Sequence, residues 1–539
     1  MSATRARPGK AALYEQLAAD GIAYMFGNPG TVEQGFLDEA ARSELDYLLT
    51  LHEGVAVGMA DGYARAARRP GLVQLHSGVG LGNGIGMLYQ AKRGGSPLVV
   101  LVGEAGVRYD AMDGQMAVDL AAMARPVSKH VLRALDPGSV LRLLRRAVKI
   151  AMTPPRGPVV LILPADVLDQ VTTEPAVPTS IPDTRVVPAP ESVRQAAHIL
   201  RSGRRVLIIM GDGIAASDAQ PQLQAVAERL GAQVWGANSS EFNFDAAHPN
   251  YGGQLGHMFG ADSARVVREA DSVLVVGTYV FPEVFPLLEN PFRDDARIVH
   301  IDLDAYEIAK NFPVELGVVA DPRLTLEAIR GELDRVLPPP AAPPAAQVAP
   351  ARSGAADEPL LDRFVRTLAE RAPAELALFD EALTASGPLA AHLPPRSAGR
   401  FFQTRGGSLG VGIPGALGVK LARPDLPVVA FTGDGGSMYT IQALWTAARY
   451  GIDAKFVICN NRRYRLLDFN IEQYWRELGI APHARPEAFD LSRPAIDFAA
   501  LSASLGVPGR RVERPEQVGD AIDTLLQHQG PYVIDLAVD

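Results

Sequence analysis

Short apolar runs alternate along this chain with longer stretches in which apolar positions recur at helical spacing. The first such stretch predicts an amphipathic helix over residues 10–20, followed by a strand, IAYMFG. The segment NPGTVEQGFLDEAARS then reads as a turn leading into a helix. A strand at 45–51 (LDYLLTL) and a helix over 52–69 come next. The run 71–78 (GLVQLHSG) predicts a strand entering a glycine-rich turn, VGLGNGIG, and SPLVVLVGE and GPVVLILPADV (157–167) predict two more strands. Strands alternating with helices in this way imply a doubly wound parallel sheet. The glycines at 78–86 miss G-x-G-x-x-G spacing and are not a dinucleotide fingerprint.

The alternation stops between 168 and about 187, a Pro-, Thr- and Asp-rich linker, and then resumes with VLIIM, AQVWG, DSVLVVG and RIVHIDLD as strands. It stops again at PPPAAPPAAQVAPARSGAA, whose composition gives nothing to pack. The expected organisation is an α/β protein of three doubly wound parallel-sheet domains at 1–175, 188–337 and 357–539, with a linker at 338–356. The first and third share the alternating pattern without visible sequence identity.

Bulk properties narrow the function classes. A hydrophobic share of 47% with 21% charged residues is that of a globular protein. The formal net charge of −9 argues against a broad nucleic-acid or anionic-membrane surface. The single cysteine, Cys459, sits in an apolar strand and excludes an intramolecular disulfide. No apolar run is long enough to span a membrane, and the first residues lack an apolar core of signal-peptide length, so a cytoplasmic location is expected.

One stretch, residues 427–461, concentrates the chemistry. PVVAFT predicts a buried strand, and Gly433-Asp434-Gly435-Gly436 breaks the chain at its end. The pattern from 437 to 450 is helical and Gly451 stops it. A second strand, AKFVICN, delivers Asn460 and Asn461. A right-handed crossover brings both strand ends to one edge, so Asp434 and Asn461 are expected side by side at a helix N-terminus that favours a phosphate. A carboxylate, an amide oxygen and a diphosphate make a hard-oxygen site for Mg2+. The chain carries its own control: a second Gly-Asp-Gly around Asp212 has Ser239, and no Asn pair, at the corresponding spacing.

The strand–GDG–helix–strand–NN assembly resembles the diphosphate- and metal-binding motif of thiamin diphosphate enzymes of the decarboxylase and acetolactate synthase superfamily. The resemblance covers nearly the whole chain and is closest to benzoylformate decarboxylase-like members. It implies a pyrimidine-binding, a middle and a diphosphate-binding domain, and a homodimer or homotetramer with the cofactor between subunits.

The resemblance also assigns residues. Glu53, in LTLHEGVAVG, matches the glutamate that hydrogen-bonds the cofactor's pyrimidine. Leu409 matches the apolar wedge between its two rings, and Gly407 a main-chain carbonyl beside its exocyclic amine. The Mg2+ ligands carried over are Asp434, Asn461 and the backbone carbonyl of Arg463. Gly433, Gly435, Gly436 and Ser437 line the diphosphate, with Thr384, Ser386, Asn28, Gly30 and Tyr464 as further cofactor contacts. His76 matches an active-site histidine that moves protons near neutral pH, and Thr31 takes the place of a serine facing the substrate carboxylate.

Two segments depart from the pattern. GTYVFPEVFP corresponds to the segment that brings a second catalytic histidine, and Val284 stands there, beside Glu283; His257 lies well upstream. In NNRRYRLLDFN, Arg462, Arg463 and Arg465 replace the small residues usual after the Asn pair. The implied activity is decarboxylation of a 2-oxo acid by a thiamin diphosphate- and Mg2+-dependent lyase, with the missing histidine leaning toward carboligation. An acetolactate synthase-like transferase is the nearest alternative, and a non-catalytic scaffold or regulator is the alternative from another class. FAD is not expected, because no arginine- and aspartate-rich flavin segment is present.

Overall fold

The apolar runs become three six-stranded sheets in a computed structural model that describes residues 5–256, 258–338 and 358–538. The first sheet runs, edge to edge, Asp46–Leu49, Tyr24–Gly27, Gly71–His76, Leu98–Glu104, Val159–Pro164, His130–Arg133, with all pairings parallel. The third runs Phe401–Gln403, Ala377–Glu381, Val428–Gly433, Ala454–Asn460, Tyr532–Ala537, Gly509–Val512. Ranked by position in the chain, both follow the same strand order, although their sequences show no likeness. The middle sheet follows a different one: Tyr251–Gln254, Gln233–Gly236, Val206–Met210, Ser272–Val276, Arg297–Asp302, Leu316–Val319.

The described residues form two compact units. One holds the first segment to Pro182 with the third segment, apart from a short excursion; the other holds the middle segment from Asp183 together with Pro394–Phe402. The expected linker at 338–356 lies, beyond Pro338, outside the described residues, as does His257. The linker expected at 168–187 is ordered at its start. The Ala165–Asp169 helix occupies it, and Val171–Thr172 pairs antiparallel with Arg7–Pro8. No helix among the described residues is long and apolar enough to cross a membrane.

Two expectations are corrected. The glycine-rich run at 78–86 is not a turn but part of one helix, Ser77–Arg93. Its glycines serve close approach: a Cβ on Gly80 would stand 3.1 Å from Glu53 Oε1. The helix expected over 437–450 is broken. A short turn of helix at Asp434–Ser437 is followed by turns, and the helix resumes at Ala443–Tyr450, ending on Gly451 at φ +60°. Two short strands, Tyr251–Gln254 and Leu316–Val319, carried too little apolar pattern to be read.

The first and third segments meet at a crossing of the Glu53–Ala67 and Gly412–Ala422 helices. Here the backbones touch. A Cβ on Gly62 would come within 2.0 Å of the Gly415 carbonyl oxygen, and one on Gly418 within 2.0 Å of the Met59 carbonyl oxygen. Around the crossing, Tyr450 OH accepts the Leu49 N–H at 2.8 Å, Thr446 Oγ1 donates to the Leu49 carbonyl at 3.2 Å, and Gln90 Oε1 accepts the Gly406 N–H at 2.6 Å.

In an exposed helix Gly→Ala gains about 1 kcal/mol in propensity. At this crossing the added methyl meets backbone that cannot move aside, and overpacking costs about 1–3 kcal/mol or more. Gly62→Ala and Gly418→Ala are therefore expected to lower the urea midpoint, while Gly331→Ala, whose Cβ would meet nothing within 4 Å, raises it or leaves it unchanged. Stabilisation by either crossing substitution contradicts a direct backbone contact between the two helices.

Candidate active site

In doubly wound sheets ligands sit beyond the C-terminal strand ends, where the strand order reverses. In the first sheet that point lies between Tyr24–Gly27 and Gly71–His76. Asn28, Gly30 and Thr31 follow the first of these strands, and His76 ends the second. Gly30 lies against the His76 ring, which a Cβ would strike at 2.2 Å. Thr31 is exposed, at the start of the Thr31–Glu33 turn.

Two residues that sequence reasoning missed organise this cluster. Glu33 Oε2 accepts the Gly30 N–H at 3.0 Å and lies 2.8 Å from His76 Nδ1. Burial pushes the Glu33 carboxyl up, against the pull of His76 and the Gly30 N–H. With Nδ1 committed to Glu33, Nε2 is the ring nitrogen left for other work. Asn83 donates to Glu53 Oε2 at 3.0 Å, while Asn28 donates to Oε1 at 3.3 Å. Glu53 is the first residue of its helix, where the dipole favours a carboxylate, and is only 4% exposed. His52 caps the same helix, its Nδ1 accepting the Gly54 N–H at 3.0 Å. Reading 78–86 as helix would have put Gly80 and Asn83 on one face and pointed to Asn83.

The third sheet repeats the arrangement at the ends of Ala377–Glu381 and Val428–Gly433. Gly433 pairs in register with Cys459, which brings Asp434 beside the Asn pair as its strands predicted. Asn460 is buried and tied to Asp535 Oδ1 at 2.9 Å, so it is structural. Asn461 Oδ1 accepts the Arg463 N–H at 2.9 Å. Asp434 Oδ1 accepts the Gly435 N–H at 2.8 Å, but its Oδ2 is buried with no hydrogen-bond partner. Burial pushes the Asp434 carboxyl up, although the Gly435 N–H pulls it down. Ser437 Oγ is turned back on the Gly433 and Asp434 carbonyls at 2.9 and 3.0 Å, which leaves main-chain N–H groups as the donors there. Tyr464 packs on Gly435, where a Cβ would stand 2.3 Å from its ring, and Gly436 follows in the same turn.

The second Gly-Asp-Gly shows what a structural aspartate looks like. Asp212 accepts the N–H groups of Ser240 and Glu241 at 2.9 and 3.0 Å, the Ser240 hydroxyl at 2.5 Å and Asn243 Nδ2 at 2.8 Å. Its carboxylate is saturated, whereas that of Asp434 is not. An unpaired buried carboxylate oxygen costs stability unless something fills it, and a hard cation does so. No group of three His, Cys, Asp or Glu side chains among the described residues could hold a metal.

The strand Ala377–Glu381 ends in two buried carboxylates that hold the surrounding loops. Glu381 accepts the N–H groups of Gly410, Val411 and Gly412 at 2.5, 3.2 and 2.6 Å, and Thr440 Oγ1 donates to the Gly410 carbonyl at 2.5 Å. The loop so anchored carries Gly407, at φ +77°, and the half-buried Leu409. Asp380 accepts from the Ala382 N–H at 2.9 Å, Ser386 Oγ at 2.9 Å and Gln403 Nε2 at 3.0 Å. The Ser386 hydroxyl is thereby engaged, and Thr384 sits in the adjoining Leu383–Ala385 turn. Burial pushes Glu381 up to about 7 despite its three N–H donors, and raises Asp380 as well. None of the hydrogen bonds of Glu53 or His76 reaches the Asp434–Asn461 cluster. In the other unit, Val284 is exposed and Glu283 is buried with neither carboxylate oxygen hydrogen-bonded, and burial pushes its carboxyl up.

Comparison with known proteins agrees with this geometry. Profiles of the thiamine pyrophosphate enzymes match over three regions: the N-terminal TPP binding domain at residues 7–123, the central domain at 193–329 and the C-terminal TPP binding domain at 385–536. Benzoylformate decarboxylase of Pseudomonas aeruginosa is 31% identical over 534 residues, covering 97% of this chain and 98% of that protein. The acetolactate synthase isozyme 2 large subunit of Escherichia coli is 27% identical over 533 residues, covering 97% and 94%. Among solved structures, a thiamine diphosphate-dependent 4-hydroxybenzoylformate decarboxylase of Rhodococcus jostii superposes with a TM-score of 0.86 at 28% identity, covering 99% of each chain.

Glu381→Gln keeps the size of the side chain but turns one acceptor into a donor facing an N–H. The expected loss is about 1–3 kcal/mol in urea unfolding, with faster amide exchange at 410–412. Because Glu381 titrates at about 7 in the folded state, above the ordinary carboxylate range, the folded state holds an extra proton between the two values. Its contribution therefore falls as pH rises through that window, and the stability gap between wild type and Glu381→Gln narrows. A gap that widens with pH contradicts this assignment.

Proposed function

This chain belongs to the family of thiamin diphosphate-dependent enzymes, and from that premise we propose that it decarboxylates a 2-oxo acid with Mg2+ as the second cofactor. The observation that carries the reading is the orphaned Asp434 Oδ2 beside Asn461, in a chain that also buries Glu53 between two amide donors. Asp434, Asn461 and the Arg463 main-chain carbonyl would hold the metal, and the N–H groups around Gly433, Gly435, Gly436 and Ser437 the diphosphate. When bound, thiamin diphosphate supplies a carbon nucleophile and an electron sink.

The remaining steps fall to this chain's own side chains. Glu53 would hydrogen-bond the pyrimidine ring nitrogen and favour its imino tautomer, and Asn28 and Asn83 keep its carboxylate in place. Leu409 would stand between the two rings of the bound cofactor, its loop held by Glu381. Gly407 would offer its carbonyl to the exocyclic amine, with Gly30, Thr384, Ser386 and Tyr464 as flanking contacts. Thr31 faces the substrate carboxylate. His76, aligned by Glu33, moves a proton at the substrate carbon through Nε2. Segments 1–175, 188–337 and 357–539 act as pyrimidine-binding, middle and diphosphate-binding domains of a cytoplasmic homodimer or homotetramer, with Glu53 and Asp434 of different subunits serving one cofactor. The absence of a histidine at 284 favours carboligation to a second carbonyl as the alternative outcome.

The test is CO2 release from a panel of aliphatic, aromatic and phosphonate 2-oxo acids with thiamin diphosphate and Mg2+. Glu53→Gln is expected to lose at least about 100-fold in kcat while still binding the cofactor. Asp434→Ala is expected to lose Mg2+-dependent cofactor uptake by calorimetry. Undiminished turnover by Glu53→Gln, or unchanged uptake by Asp434→Ala, overturns the reading.

A further inference from the structure

The segment after the Asn pair borders an open cleft of about 230 Å³, lined by Asn461, Arg463, Arg465, Asp468, Phe469 and Arg485. That is room for a small acid. Its charges do not balance. Arg463 forks onto the buried Asp468, with Nε 2.7 Å from Oδ2 and the terminal amine 3.1 Å from Oδ1. Arg485 reaches the same carboxylate at 3.6 Å and pairs with Glu472. Two carboxylates thus neutralise two guanidinium groups. Arg465, half-buried, has no ion pair among the described residues; its guanidinium carbon lies 5.9 Å from the centroid of the Phe469 ring.

Helix stability does not account for Arg465 either. It opens the Arg465–Leu478 helix, where the dipole disfavours a cation and favours an anion. A lone guanidinium at that end adds its field to the dipole, and both select negative charge. Asn461 places the cleft next to the residue assigned to the metal.

We propose that Arg465 recognises a second anionic group on the substrate, a carboxylate or phosphonate carried at the far end of the 2-oxo acid. This rests on the reading of the chain as a 2-oxo acid enzyme. The guanidinium forks onto two oxygens of that group, while the 2-oxo acid head stays at the reaction centre.

The experiment compares kcat and KM for CO2 release from matched acids by the cofactor-loaded enzyme: 2-oxopentanoate against 2-oxoglutarate, and pyruvate against 3-phosphonopyruvate. The wild type is expected to favour the acid with the distal anion. Arg465→Gln should raise its KM by about 10- to 100-fold, and change the uncharged partner by less than about twofold. An unchanged ratio in the variant overturns the proposal. So does a fall in thiamin diphosphate affinity without a change in that ratio, which assigns Arg465 to the cofactor. If no 2-oxo acid is turned over, the functional reading fails and calorimetry with glutarate and methylphosphonate decides this inference separately. Binding to wild type that Arg465→Gln loses supports it, and equal or absent binding overturns it.

Discussion

The backbone contact between the Glu53–Ala67 and Gly412–Ala422 helices is the constraint on which the larger unit depends. Both helices begin at the chemistry: Glu53 opens one, and the loop carrying Gly407 and Leu409 leads directly into the other. Because Gly62 and Gly418 lie within touching distance of facing carbonyls, neither helix can slide or separate without losing close packing along its length. Each glycine costs helix propensity, about 1 kcal/mol. The gain is that two segments far apart in sequence are held at a fixed spacing, which a looser contact through long side chains would not ensure.

The same strand order in the first and third sheets puts two clusters at equivalent switch points. Each is built around buried carboxylates, and their hydrogen-bond partners separate structural from chemical roles. Glu381, Asp380 and Asp212 have donors on every side and act as anchors. Glu33 is half satisfied and aligns a histidine. Asp434 keeps one oxygen unmet, and that difference, rather than the Gly-Asp-Gly motif itself, separates it from Asp212. The anchors matter because a cofactor loop misplaced by a fraction of an ångström loses catalytic geometry.

Beyond the motif, Arg462 to Phe469 is the part of the site where this chain goes its own way. Arg463 is engaged by Asp468, and Arg485 is shared between Asp468 and Glu472. What remains is one guanidinium charge at a helix N-terminus, in a cleft adjoining Asn461.

Sequence alone determined the alternation of strands and helices, the α/β class, and the register that sets Gly433 against Cys459, because side-chain periodicity and turn residues are local and register follows from parallel crossovers. Glu53, His76 and Leu409 enter the proposed site only through motif resemblance. Tertiary structure alone decided the rest. The run 78–86 is helical because its glycines let the helix approach Glu53, and glycine in a sequence signals a turn and a close approach equally. The helix after Asp434 breaks at 438–442 although its apolar spacing continues. Glu33, Asn83 and Glu381 stayed hidden because whether a buried carboxylate is saturated depends on partners 29 to 43 residues away, which no local pattern records.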